Sequence, residues 1–200
     1  MKQNIEIMRS AKAALHRNWG MAALVTLLMT VIVSASGAIF IGPLFVTGPL
    51  WLGYVFFLKS IRPAERSRVE RLFDGFNDFG RSLLAYLLIA IFVFLWSLLL
   101  IVPGIVMCIA YSMTFFILAE DKEISVMDAI RRSCEMMRGY KCKYFCLMLR
   151  FFGWWVLVVL TFGILYFWVQ PYVTMSALHF YRELKAELST RSDVEAAFTE

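Results

Sequence analysis

Residues Ser82–Ala119 read SLLAYLLIAIFVFLWSLLLIVPGIVMCIAYSMTFFILA, which is 38 positions without a charged side chain. A membrane-spanning helix needs about 20 apolar residues, each rising 1.5 Å. One kinked helix of this length would extend about 57 Å, far beyond a hydrocarbon core of roughly 30 Å. We therefore interpret the stretch as two spans, with a turn at Pro103 and Gly104.

Two further stretches lack charge, Asn18–Leu58 with 41 residues and Phe151–Tyr181 with 31. Hydrophobic residues make up 60% of the 200-residue chain and charged residues 18%, against about 25% charged in soluble domains. A globule of this size cannot bury so much apolar side chain. The composition excludes a disordered, collagenous or disulfide-stapled protein and indicates a polytopic membrane protein.

We predict an all-α fold of six transmembrane helices arranged as three hairpins. The third neutral stretch is short for a pair, so its first helix is extended back to residue 144. Proline removes a backbone donor and ends or kinks a helix, which places the predicted hairpin turns at Pro43, Pro49, Pro103, Gly104 and Pro171. The predicted spans cover residues 19–40, 44–59, 82–101, 104–119, 144–167 and 171–186.

All 35 formal charges lie in four blocks outside these neutral stretches. The blocks carry net charges of +3, +2, +2 and −2 in chain order. The positive-inside rule places such segments in the cytoplasm, so both termini are expected there. Met21–Val33, followed by Ser34-Ala35-Ser36, also resembles a signal peptide, but the long preceding arm favours an uncleaved first helix.

The charge pattern repeats at intervals near 60 residues. Each period opens with an amphipathic segment and continues into a hairpin, which divides the transmembrane domain 1–186 into units 3–62, 63–122 and 123–186, followed by a polar cytoplasmic tail, 187–200. The amphipathic segments either lie flat in the cytoplasmic interface or pack on the bundle; the pattern leaves both open. Repeats in the same orientation would be related by an axis along the membrane normal.

The second amphipathic segment, Pro63–Gly80, has the clearest helical spacing. Apolar side chains recur there at helical spacing. Cations that suit anionic lipid headgroups occupy positions between them. We predict a helix parallel to the membrane. Its membrane-interface residues are Val69, Leu72, Phe73, Phe76 and Phe79, with Arg66, Arg68 and Arg71.

The amphipathic pattern is clearer in the third unit than in the first. In the third unit, Ser125-x-x-Asp128 is a variant of the capping box that marks a helix start. The apolar face predicted after it consists of Val126, Ala129, Ile130, Ser133, Cys134 and Met137. The amphipathic pattern of the first unit is less regular, and its apolar positions are Ile5, Met8 and Leu15.

The sequence offers no catalytic, cofactor or metal motif. Cys142 and Cys146 share a helix face and could form half a metal site, but no further ligands complete it. The carboxylates from Glu120 to Glu123 are expected to form a solvated turn. The excess of Lys and Arg is interleaved with acids and explained by topology, so we expect no nucleic-acid binding.

The second half of the chain resembles a known bacterial family. The residues that carry the likeness lie in residues 72–186: Leu95-Trp96, Leu98-Leu99, Ile101-Val102-Pro103-Gly104, Tyr111, Ile117-Leu118-Ala119, Ser125, Asp128-Ala129-Ile130, Ser133, Met137, Gly139, Gly153-Trp154, Pro171-Tyr172 and Tyr181. They are similar to the integral-membrane family called domain of unknown function 975. The resemblance implies a multi-pass protein of the bacterial cytoplasmic membrane and no known activity.

Two functions are compatible with this architecture. The first is a non-enzymatic protein that organises or senses the bilayer, or supports another membrane complex. Its partners would be membrane lipids, and either a second protein or further copies of the chain. The second is a small transporter or exporter component that confers tolerance to membrane-active compounds. No ionisable side chain is predicted at the middle of a span, which argues against a proton-coupled pump.

Overall fold

The computed structural model describes residues 4–16, 18–36, 42–61, 69–99 and 101–197. Within these ranges every regular element is helical, which confirms the predicted all-α class. The elements are α1 Asn4–Leu15, α2 Trp19–Ser36, α3 Gly42–Ser60, a 3₁₀ helix Val69–Phe76, α4 Phe79–Leu99, α5 Ile101–Tyr111, α6 Thr114–Leu118, α7 Val126–Met136, α8 Lys141–Arg150, α9 Phe152–Leu160 and α10 Tyr166–Ala197.

Three helical segments of the described chain are long and apolar enough to cross a membrane. They are Trp19–Ser36, Phe79–Leu98 and Lys141–Leu160, the last of which joins α8 and α9. A shorter apolar segment covers Pro103–Leu118. Association with a membrane, expected from the composition, is therefore supported by the helices themselves.

Helix α3 lies at the centre of the bundle. Leu50, Tyr54 and Phe57 on this helix are fully buried, and α3 contacts α2, α4, α6, α10 and the 3₁₀ helix. Glycine permits the closest of these approaches: a Cβ at Gly53 would overlap the Leu72 carbonyl oxygen, and one at Gly75 would lie 2.5 Å from the Gly53 nitrogen. Small residues let helix backbones approach in this way in membrane bundles.

The residues predicted to mark hairpin turns lie inside helices instead. Pro43 and Pro103 occupy the first turns of α3 and α5, where a missing backbone donor costs nothing. Pro49 is interior to α3 and Pro171 interior to α10, so these turn predictions were wrong. Neighbouring helices can satisfy the backbone groups that a proline frees in a membrane helix.

Gly104 is also interior to a helix, and its role is close packing. A Cβ there would lie 2.5 Å from the Ser97 hydroxyl of α4. The connection between α9 and α10 contains no proline and is closed by Phe162 and Gly163, both with positive φ. Their amides donate to the carbonyls of Val159 and Val158, which is the hydrogen-bond pattern of a Schellman helix end.

The amphipathic segments pack on the bundle to different extents. Helix α7 buries Val126, Ala129, Ile130 and Ser133, as its predicted face requires, and Ser125 caps it by accepting from the Asp128 amide at 3.1 Å. Helix α1 packs on α10 through a face that includes two of its three predicted apolar positions, Leu15, which is buried, and Met8, which is partly buried. Its buried residues are Ile7, Ala11 and Leu15, while Ile5 is exposed.

Residues Val69–Phe76 of the second amphipathic segment form a 3₁₀ helix rather than an α-helix. A 3₁₀ helix repeats every three residues, so Leu72 and Gly75 share one side, and both are buried. The predicted single apolar row therefore divides into two faces, one packed on α3 and one formed by phenylalanines. Arg66 and Arg68 lie outside the described residues.

Candidate functional site

An aromatic ladder of three phenylalanines joins the 3₁₀ helix to α4. The rings of Phe73 and Phe76 stack with centroids 6.3 Å apart, and those of Phe76 and Phe79 with centroids 6.4 Å apart. Phe73 is 48% exposed and Phe79 39% exposed, while Phe76 packs partly against the core. Exposed aromatic rings at the end of a candidate span are typical of residues that contact the bilayer interface.

The remaining residues of the predicted interface divide between the two faces. Val69 is half-buried and Leu72 fully buried, so these two stabilise the bundle rather than contact lipid. Arg71 is exposed in the same 3₁₀ helix. The structure thus keeps the three phenylalanines of the predicted set together.

The loop after α6 is ordered by an arginine of α4. The Arg81 guanidinium donates to the carbonyls of Lys122 and Ile124, and to that of Asp121 at 3.3 Å. The Asp121 carboxylate accepts from the amides of Glu123 and Ile124 at 3.0 and 3.1 Å. The segment is an acidic turn, in which Glu123 is exposed and the half-buried Asp121 also holds the loop.

A charged cluster lies next to this loop, where α3, α6 and α10 meet. It consists of Lys59, Glu120, Tyr181 and Lys185. The Tyr181 hydroxyl donates to Glu120 at 2.6 Å, and the Lys185 ammonium forms an ion pair with the same carboxylate. Lys59 donates to the Ala119 carbonyl at 3.2 Å.

Glu120 is held ionised by these partners. Burial alone would raise the pKa of its carboxyl. The hydrogen bonds from Lys185 and Tyr181, and the positive charges of Lys185 and Lys59, outweigh burial and lower the pKa below its ordinary value. The Glu120 carboxylate is therefore ionised at neutral pH and pairs with the Lys185 ammonium.

Two cavities open beside the charged cluster and adjoin at Lys185 and Ser189, which line both. Their volumes are about 300 and 450 Å³. We call the pair the cationic cleft. Its charged side chains are Lys59, Arg132, Arg182, Lys185, Glu120 and Glu135.

The sequence analysis missed the charged cluster, although one signal was present. Glu120 lies 61 residues after Lys59, and Tyr181 lies 61 residues after Glu120. These intervals are close to the predicted repeat period of about 60 residues. The blocks of charge alone do not single out these three positions.

Comparison with known protein families gives one match. The family model described as "Protein of unknown function (DUF975)" matches residues 1–110 and, in a second segment, residues 98–188. The chain belongs to the DUF975 family. The match extends the resemblance from residues 72–186 into the N-terminal half. Comparison with curated proteins and with solved structures found no match.

Membership of the DUF975 family assigns no activity to the site. Within the described residues, no group of three or more His, Cys, Asp or Glu side chains is arranged to hold a metal ion. The candidate functional features of the described residues are the aromatic ladder, the charged cluster and the cationic cleft.

Proposed function

We propose that the protein crosses the cytoplasmic membrane six times, as three hairpins with both termini in the cytoplasm. The exposed apolar side chains of the helices support this arrangement. Phe94 and Leu98 of α4 and Val159 of α9 are each more than two-thirds exposed, which would be costly in water and favourable in lipid. Arg81 lies in the first turn of α4, at the opposite end of that helix from Phe94 and Leu98.

The order of elements supports three units of the same orientation. Each has an amphipathic segment, then one helical span, then a second: α1–α2–α3, the 3₁₀ helix with α4 to α6, and α7 with α8 to α10. The 61-residue intervals that bring Lys59, Glu120 and Tyr181 together fit the same division.

The function that we infer is non-enzymatic organisation or sensing of the bilayer, including support of another membrane complex. The observation that carries it is the aromatic ladder. Two of its three rings are exposed at the start of a candidate span, and Arg71 is an exposed cation of the same 3₁₀ helix. Rings in the acyl boundary and a cation at the phosphates are the two components of interfacial attachment.

The test uses the full chain reconstituted in vesicles that contain anionic phospholipid. A spin label at residue 73 should report a depth at the boundary between headgroups and acyl chains. Spin-labelled lipid should show less ordering around the Phe73→Ser/Phe79→Ser variant than around the wild type. The matched control is Met127→Ser, which changes an exposed apolar side chain of another amphipathic segment and should leave the ordering unchanged. Water exposure at residue 73 equal to that at Arg131 would refute the proposal.

A second candidate function is a small transporter or exporter component. It is favoured by a buried hydroxyl pair between α2 and α3, in which Thr26 and Tyr54 lie 3.2 Å apart. In a transporter such hydroxyls would contact the cargo, and Tyr54→Phe would abolish tolerance to a membrane-active compound. The Phe73→Ser/Phe79→Ser variant would then keep that tolerance. If the protein instead organises the bilayer, Phe73→Ser/Phe79→Ser should lose the tolerance and Tyr54→Phe should keep it.

A further inference from the structure

We propose that the cationic cleft binds a phosphate group carried by an anionic ligand. The cleft is lined by four cations and two carboxylates, which leaves an excess of two positive charges. Its combined cavities fall in the size range of small-molecule sites, roughly 300–1,000 Å³. The proposal goes beyond bilayer organisation and does not depend on the aromatic ladder.

The guanidinium groups are the free cations of the cleft. Lys185 is engaged with Glu120, and Lys59 donates to a backbone carbonyl. Across the described ranges, neither Arg132 nor Arg182 has a carboxylate partner. Each therefore keeps its full set of N–H donors for a ligand.

The chemistry of these side chains favours phosphate among small anions. A guanidinium presents a planar fork of donors that matches two phosphate oxygens. Arg132 of α7 lines one cavity and Arg182 of α10 lines the other, so each part of the cleft offers one guanidinium to a phosphate. Lys185 lines both cavities and adds a third positive charge.

Two sources can supply such a group, a phospholipid headgroup and a soluble phosphate ester. Both ligands present phosphate oxygens that a guanidinium can contact in pairs. The difference lies in the rest of the ligand, which is an acyl-bearing glycerol in one case and a water-soluble group in the other. Experiments with each source alone separate them.

The test measures binding to the full chain in two settings. In neutral detergent micelles, the protein is titrated with inorganic phosphate, and Kd is determined by calorimetry. In nanodiscs, the rise in Tm on replacing phosphatidylcholine by phosphatidylglycerol is recorded. Binding in micelles indicates a soluble phosphate, and stabilisation confined to phosphatidylglycerol indicates a headgroup; either result supports the cleft if the arginine variants weaken it.

The decisive variants are Arg132→Gln and Arg182→Gln. Each should raise Kd about tenfold, which corresponds to about 1.4 kcal/mol and is near the lower end of what a hydrogen bond to a charged group contributes. The matched control is Arg131→Gln, which removes the same charge one residue away, where the side chain is exposed and paired with Asp128 at 2.9 Å. The control should bind like the wild type.

Arg132→Lys keeps the positive charge but lacks the planar pair of guanidinium donors. This variant should bind more weakly than the wild type but better than Arg132→Gln. This variant preserves the test if a glutamine variant fails to fold. The proposal is overturned if neither phosphate nor phosphatidylglycerol acts on the wild type. It is also overturned if Arg131→Gln weakens binding as much as Arg132→Gln.

Discussion

Replacing Gly53 with alanine should separate the 3₁₀ helix from α3. The added Cβ would lie 2.7 Å from the Leu72 carbonyl carbon and overlap its oxygen, whereas carbon atoms in contact lie about 3.5–4.0 Å apart. The obstacle is backbone, so no side-chain rotation can relieve it. The 3₁₀ helix must then move by about 1 Å, the difference between these two distances.

The expected cost follows from that displacement. Overpacking of this kind destabilises a protein by about 1–3 kcal/mol. Alanine in place of glycine stabilises a helix by roughly 0.5–1 kcal/mol, which offsets part of this loss. A net loss near 1–2 kcal/mol should lower Tm by about 2–4 °C per kcal/mol in a chain of this size. The aromatic ladder, which continues from the displaced segment, should shift with it.

The assay is thermal unfolding of the purified chain in micelles, followed by tryptophan fluorescence. The matched control is Gly80→Ala in α4, where an added Cβ meets no atom within 4 Å and Tm should stay the same or rise slightly. Gly75→Ala, which obstructs the same contact from the other side, should reproduce the loss. Equal Tm values for Gly53→Ala and Gly80→Ala would refute the reasoning.

Three further predictions concern separate parts of the molecule. Ser133→Ala removes a buried hydroxyl that donates to a carbonyl of α5 at 2.6 Å, and should cost about 1 kcal/mol in a denaturation assay, while Ser10→Ala, whose hydroxyl bonds only within its own helix, should cost less. The folded-state pKa of Glu120 is lowered from 4.5, so its ionised form stabilises the fold above that pH, and this contribution is lost as the pH falls through the folded-state pKa. The Tm of the wild type should therefore fall more steeply in acid than that of Glu120→Gln; parallel curves would contradict the role of the Lys185 pair. Phe162 is 98% exposed, so Phe162→Cys, in a chain without its native cysteines, should react with an impermeant maleimide from outside the cell. Reaction only after permeabilisation would contradict the proposed topology.

Local sequence information predicted the third amphipathic segment well. A helix start needs a capping side chain three residues before an amide that it can reach, and Ser125 and Asp128 provide this pair. The buried face of α7 follows from helical spacing alone. Both signals act within one or two turns, so the sequence contains them without reference to the rest of the chain.

The second amphipathic segment was predicted with the wrong helix type because its spacing is ambiguous. Residues three apart lie near one another in an α-helix and directly above one another in a 3₁₀ helix. The choice depends on Gly53 and Gly75, which let two backbones approach closely. That contact joins positions distant in sequence, and residue spacing does not encode it.

The prolines were misread for a related reason. Pro49 and Pro171 break a helix in water, but a packed membrane bundle tolerates them. The sequence does not reveal the charged cluster, because Lys122 lies close to Glu120 in the chain whereas the ion pair forms with the distant Lys185.

The spacing of the charged cluster limits how such a protein can be assembled. Three separate copies of one 61-residue segment would bring the same side chain to the meeting point three times. Three lysines or three glutamates would repel one another, and three tyrosines would leave no ion pair. A continuous chain can instead place a cation, an anion and a hydroxyl at Lys59, Glu120 and Tyr181. In the proposed three-unit arrangement the segments are consequently not interchangeable, because substituting one for another would place two identical groups where different ones are required.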